Sequence, residues 1–200
     1  MAPSLKEQCD ACREAILRAI IDSLQERTDY IAQIERTPRG DVPVSGIALE
    51  LFPWHARMGL SLRLTSDFPL GTSRYGSANW PHFDFTVGCH APSIVTAISL
   101  VTQIYDRGNE PGIDRRDMAH LAFMAGAEAL LHPQVSRLLN DFGINAPTLT
   151  DTIVTSPFQY IVIDADQTVK SNYCDIVMAN RVALRIIGNA ASQIVGREPR

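Results

Sequence analysis

The sequence predicts an α+β protein: a small, mostly antiparallel sheet packed by helices, led by a long amphipathic helix. Three observations carry this. Apolar residues recur every three or four positions from Leu5 to Ile34, the period changes to two between Val44 and Leu64, and helical spacing returns after Pro92. A chain of 200 residues can bury its apolar surface around one core. A single domain over 1–200 is therefore expected, with a long helix at 1–36, a sheet region at 44–86, a helical region at 92–143, and a strand plus C-terminal helix at 158–195.

Ser4 can cap the first helix, and Glu7 three residues on completes a capping box. Leu5, Cys9, Cys12, Ile16, Ile20, Leu24, Ile31 and Ile34 form its stripe, with a missed step at Arg27. Pro38 and Gly40 end it. A helix of about 50 Å at 1.5 Å per residue is longer than one domain covers. Homodimerisation through this helix would bury the overhanging Ile16, Ile20 and Leu24.

Ile47, Leu49 and Leu51, then Met58, Leu60, Leu62 and Leu64, alternate with small or polar residues, the mark of a half-buried hairpin linked through Pro53-Trp54-His55-Ala56. Pro69 to Ser77 reads as a loop, and Trp80 to Thr86 as a third strand or extended edge. Ile94, Val95, Ile98, Val101 and Ile104 share a helical face. Asp114 caps a further helix that His132-Pro133 breaks. Gln134 to Phe142 forms a shorter helix ended by Gly143. Tyr160 to Ile163 is a strand, and Asp175 to Val195 the last helix.

Charge narrows the partners. Lys plus Arg number 18 against 22 Asp plus Glu, a net charge of −4. That balance points away from nucleic acid and anionic membrane, which select a basic excess. No secretory start leads the chain, and its longest apolar stretch, His120 to Leu131, is too short to span a bilayer. A cytoplasmic protein with reduced thiols is expected.

Three groups of residues could carry chemistry. Cys9-x-x-Cys12 places two thiols on one helix face, but both fall on the apolar stripe, where cysteine packs as a small hydrophobe, and Cys89 and Cys174 stand alone. His82 and Asp84, with His90 and the more distant His55, offer nitrogen and oxygen ligands for a metal. Asp164 and Asp166 follow an apolar strand in the run Ile161-Val162-Ile163-Asp164-Ala165-Asp166-Gln167-Thr168. That run resembles the first motif of the haloacid-dehalogenase phosphotransferases, where the first Asp is the nucleophile and the second a general acid–base beside magnesium. Only one helix follows it here, so the sheet that would complete such a site is missing. The run reads instead as a solvent-facing turn in which Asp side chains bond local backbone.

A second resemblance is carried by Gly46 to Leu51, Ala78-Asn79-Trp80-Pro81-His82, and Tyr160 to Asp166. With the order of the elements, these segments resemble uncharacterised bacterial α+β domains found near toxin–immunity loci. The resemblance implies a cytosolic α+β protein that works by binding another protein; separately, no cofactor is expected. Two functions follow from the sequence. One is a non-enzymatic interaction or regulatory protein, immunity-like in kind, with a protein partner and self-association through the first helix. The alternative is a small metal-dependent hydrolase or phosphatase using Asp164 and Asp166, or His82 and Asp84.

Overall fold

Ser4 opens helix α1 (Leu5–Glu26) with a complete capping box in the computed structural model, which describes residues 3–67, 77, 80–149, 158–164 and 172–195, with side chains up to 186. The Glu7 N–H donates to Ser4 Oγ at 3.3 Å, and the Ser4 N–H donates to the Glu7 carboxylate at 2.7 Å. The helix does not reach Arg36. It breaks at Arg27, whose φ of −101° and ψ of 16° leave the helical region, and restarts as α2 (Thr28–Ala32). Arg27 is where the apolar stripe misses its step, and its guanidinium is used elsewhere, donating to the Val87 carbonyl.

α1 alone is about 33 Å long, short enough for one domain to cover. Ile16, Ile20 and Leu24 are fully buried in the chain's own core, beneath α3 (Pro92–Asp106) and α4 (Arg115–Leu130). Burial of each is worth roughly 1.5–3 kcal/mol. The exposed stripe that a dimer through this helix would cover is therefore taken up within the chain.

The sheet is mixed. Strand β1 (Val44–Phe52) pairs antiparallel with β2 (Arg57–Leu64), so that Glu50 faces Gly59 and Ala48 faces Ser61. Strand β3 (Gln159–Val162) lies on the other side of β1 and runs parallel to it, with Gly46 opposite Gln159 and Leu49 opposite Val162. The order is β2–β1–β3. Parallel pairing requires a crossover, and α3, α4 and α5 (Pro133–Asp141) supply it.

Local chemistry places these helices. Asp114 accepts the Arg116 N–H at 2.8 Å to start α4. His132 Nδ1 accepts the Gln134 N–H at 3.3 Å, Pro133 fills the first turn of α5, and Gly143 adopts φ +85° just beyond its end. α6 (Tyr173–Val195) closes the fold.

Both faces of the β1–β2 hairpin are covered, where alternation predicts one wet face. On the first, Ile47, Leu49, Leu51, Leu60, Leu62 and Val162 meet α4. Gly126 permits the approach: a Cβ there would lie 2.9 Å from Leu51 Cδ1 and 3.0 Å from Leu49 Cδ2. The second face carries Ala48, Glu50, Ser61 and Arg63 and lies under Ser77 and the Trp80–Thr86 segment. Ala48, Trp80 and Ile161 form a small apolar cluster there.

Trp80–Thr86 is not a strand. Pro81 has no N–H to give a ladder and Asp84 sits at φ 43°, so the segment makes a single bridge, Leu62 to His82. It seals the β2 edge all the same. The Leu62 N–H donates to the His82 carbonyl at 3.1 Å and the Leu60 N–H to Thr86 Oγ1 at 2.9 Å. At the β3 edge a single side chain does the same: Asn172 Oδ1 accepts the Val162 N–H at 3.0 Å while its Nδ2 donates to the Tyr160 carbonyl at 2.7 Å. Among the described residues, no helix is long and apolar enough to cross a membrane.

Candidate functional site

β1 and β3 run parallel, so their carboxyl ends open on the same side of the sheet. Trp54 follows β1 there and Asp164 follows β3. Between them and the first turn of α4 lies a cleft of about 290 Å³ lined by Trp54, Tyr105, Arg115, Arg116, His120 and Asp164. Crevices outside the carboxyl ends of parallel strands are where α/β sheets hold ligands.

Asp164 is only 4% exposed, which corrects its assignment to a solvent-facing turn. Its position two residues beyond a buried strand, under α4 and α6, takes it out of water. Asp166 and Thr168, the rest of that motif, lie outside the described residues. Arg115 stacks over Tyr105, 5.7 Å from the ring centre, and donates to the Asn109 side-chain carbonyl. The Arg116 side chain is exposed and, among the described residues, has no ion-pair or hydrogen-bond partner. Tyr173 stands behind the cleft, its ring edge-on to His120 at 5.9 Å and tilted against Phe123 at 5.1 Å. Its hydroxyl is buried without a hydrogen-bond partner among the described residues. Burial, and then the negative charge of Asp164, push its pKa up to about 12. Among the described residues, the cleft around Asp164 is lined by the guanidiniums of Arg115 and Arg116 and by no second carboxylate.

Asp84 lies in a different cleft, of about 280 Å³, with Arg57, Gly59, Thr86, Cys89 and Ile94. Its carboxylate is paired with Arg57 and accepts from Thr86 Oγ1 at 3.4 Å, while its N–H donates to Ser61 Oγ at 2.8 Å. Glycine at position 59 makes room for this network, since a Cβ there would collide with the Asp84 carboxylate. His82 is engaged elsewhere, its Nδ1 2.9 Å from the Tyr30 hydroxyl. His90 has an exposed side chain and donates its backbone N–H to Glu26 at 3.0 Å, and His55 is exposed on the hairpin turn. Among the described residues, no three His, Cys, Asp or Glu side chains are grouped to hold a metal ion.

Glu50 is buried beside the Asp84 network and carries no sequence signal beyond its place in a strand. Burial raises its carboxyl pKa, hydrogen bonds from Ser77 and Ser61 pull it back, and the charge of Asp84 adds to the rise. Cys9, Cys12, Cys89 and Cys174 are all free thiols. Burial pushes the Cys12 thiol up to about 12, which keeps it out of thiolate chemistry at neutral pH.

Sequence reasoning missed Trp54, Tyr105, Arg115 and Arg116 as site residues, because four separated segments bring the cleft together. One signal was available. Arg115 and Arg116 directly follow the cap Asp114, putting two cations at the positive end of a helix dipole. A locally unfavourable choice of that kind marks a functional position. Compared with known protein families, curated proteins and solved structures, the chain matches none.

Proposed function

We propose that this is a non-enzymatic interaction protein of the cytoplasm, whose contact surface is the far half of α6 and whose first partner is a second copy of the chain. The observation that carries it is where α6 leaves the body. Tyr173, Cys174 and Val177 are buried against α4 and β3, whereas Leu184 and Ile186 are 69% and 60% exposed. Two positions apart, these residues point to different sides of the helix, so this turn is apolar on more than one side. No charged residue stands between Arg185 and Arg197 in the sequence. Large apolar side chains left exposed on one turn mark a place where another surface packs.

Two-fold pairing buries the same turn on both copies, and it takes the place of the N-terminal helix as the dimer surface. Of the groups that would serve a hydrolase, Asp84 is held by Arg57 and His82 by Tyr30. The free thiols suit a reducing compartment. The resemblance to domains of toxin–immunity loci fits a binding protein too: its three segments meet at Ala48, Trp80 and Ile161, a packing cluster with no reactive group.

Sedimentation of the full chain across a concentration series tests this. A dimer is expected for the unmodified protein and a monomer for Leu184→Glu, with the circular dichroism spectrum unchanged. An unmodified chain that stays monomeric well above micromolar concentration overturns the proposal.

A further inference from the structure

We infer that the cleft at the carboxyl ends of β1 and β3 binds a small organic anion that carries one flat ring. The site is separate from the exposed Leu184–Ile186 turn of α6 and does not depend on it.

The charge comes first. Arg116 puts a guanidinium at the cleft with no anionic partner among the described residues, on the first turn of a helix whose unpaired N–H groups add to the positive potential. Asp117 shares that turn but makes no ion pair with either arginine among the described residues. Arg115 is fixed in place by the Tyr105 ring and by Asn109, so its charge is oriented in advance. A carboxylate or phosphate matches the planar fork of an arginine.

The walls come next. The rings of Trp54 and Tyr105 stand 6.2 Å apart at 60°, a wedge of two aromatic surfaces. Such surfaces take a flat ring by offset or edge contact, worth roughly 0.5–1.5 kcal/mol beyond the area buried. Opposite them lie the buried Asp164 side chain and the imidazole of His120. The Tyr173 hydroxyl behind His120, without a hydrogen-bond partner among the described residues, is the kind of buried polar atom that a ligand or an ordered water satisfies.

Size sets the limit. A cleft of about 290 Å³ falls at the bottom of the range of ligand pockets, roughly 300–1,000 Å³. One ring and one anionic group fill it, and a dinucleotide does not enter. Two sources share this chemistry, an aryl carboxylate and a nucleoside monophosphate.

Calorimetric titration of the full chain with benzoate, AMP, adenosine and inorganic phosphate tests the inference and separates the sources. Benzoate or AMP is expected to bind, with adenosine and phosphate each about tenfold or more weaker, since neither supplies both the ring and the charge. Arg116→Ala should weaken the binding anion by roughly 10- to 100-fold, and Arg116→Lys by less. Arg116 is exposed, so these variants keep the fold, and their sedimentation should match that of the unmodified chain. A failure here is therefore distinct from a failure of the α6 contact. The inference is overturned if neither benzoate nor AMP binds, if phosphate binds as tightly as both, or if Arg116→Ala changes nothing.

Discussion

The two faces of the β1–β2 hairpin are both buried, but they are held by different forces. The face under α4 is built from Ile47, Leu49, Leu51, Leu60 and Leu62, and its cohesion is apolar area and close packing. The face under Trp80–Thr86 holds Glu50, Ser61 and Arg63 in directed contacts. Ser61 Oγ donates to Glu50 at 3.1 Å and accepts from Asp84, while Arg63 donates to the Ser45 hydroxyl and carbonyl and to Gln159 and lies over Trp80. The first face tolerates small shifts because dispersion has no preferred direction. The second does not, because every buried donor and acceptor needs its own partner. The helix face thus sets how stable the sheet is, and the polar face sets where the long segment above it must lie.

Leu49→Ala should break the apolar face hardest, with a loss of about 2–5 kcal/mol read from urea unfolding, and no change in the pH dependence of stability. Ser61→Ala tests the polar face. Two buried partners lose one hydroxyl, so about 1–3 kcal/mol should go despite the small change in volume. A loss near zero would mean that water replaces the hydroxyl and that this face is wet. Gly59→Ala should cost a similar 1–3 kcal/mol by roughly the usual overpacking penalty, and less in an Asp84→Gly background, where the clashing carboxylate is gone. Equal cost in both backgrounds would place the strain elsewhere.

Glu50 gives the polar face its own pH signature. Burial raises its folded-state pKa above the ordinary 4.5, so between those two values the folded chain keeps a proton that the unfolded chain has lost. Stability therefore falls as pH rises through that window. Glu50→Gln keeps an acceptor for Ser61 and should flatten this slope, which denaturation midpoints measured across the window would report. The smallest effect belongs to α6: Leu184→Glu should move the unfolding free energy of the monomer by less than about 0.5 kcal/mol, since that side chain touches little of the body.

The apolar face and the helix ends were legible in the sequence for the same reason, that each is a local pattern. Ser4 with Glu7, Asp114, His132-Pro133 and Gly143 all act where their spelling puts them. The break in α1 was visible as a missed step at Arg27, though the partner of its guanidinium, the carbonyl of Val87, is far away in sequence. Alternation in β1 and β2 located the strands but not the cover over Glu50 and Ser61, because polar residues that alternate with leucines look the same under water and under a loop. The parallel partner of β1 was hidden by distance along the chain. The cleft was hidden too, since Trp54, Tyr105, Arg116 and Asp164 share no spacing that period or motif could detect.

The parallel pairing of Gly46–Leu49 with Gln159–Val162 also sets an order of events during synthesis. β3 is made about a hundred residues after β1, roughly 5–20 s later at ordinary translation rates. Throughout that interval the hairpin has one strand edge with no partner, and Asn172, which seals the far side of β3, has not yet been made. The nascent chain therefore meets the ribosome surface with its central strand open to any other extended segment. Closing it over so long a loop costs more chain entropy than closing the β1–β2 hairpin.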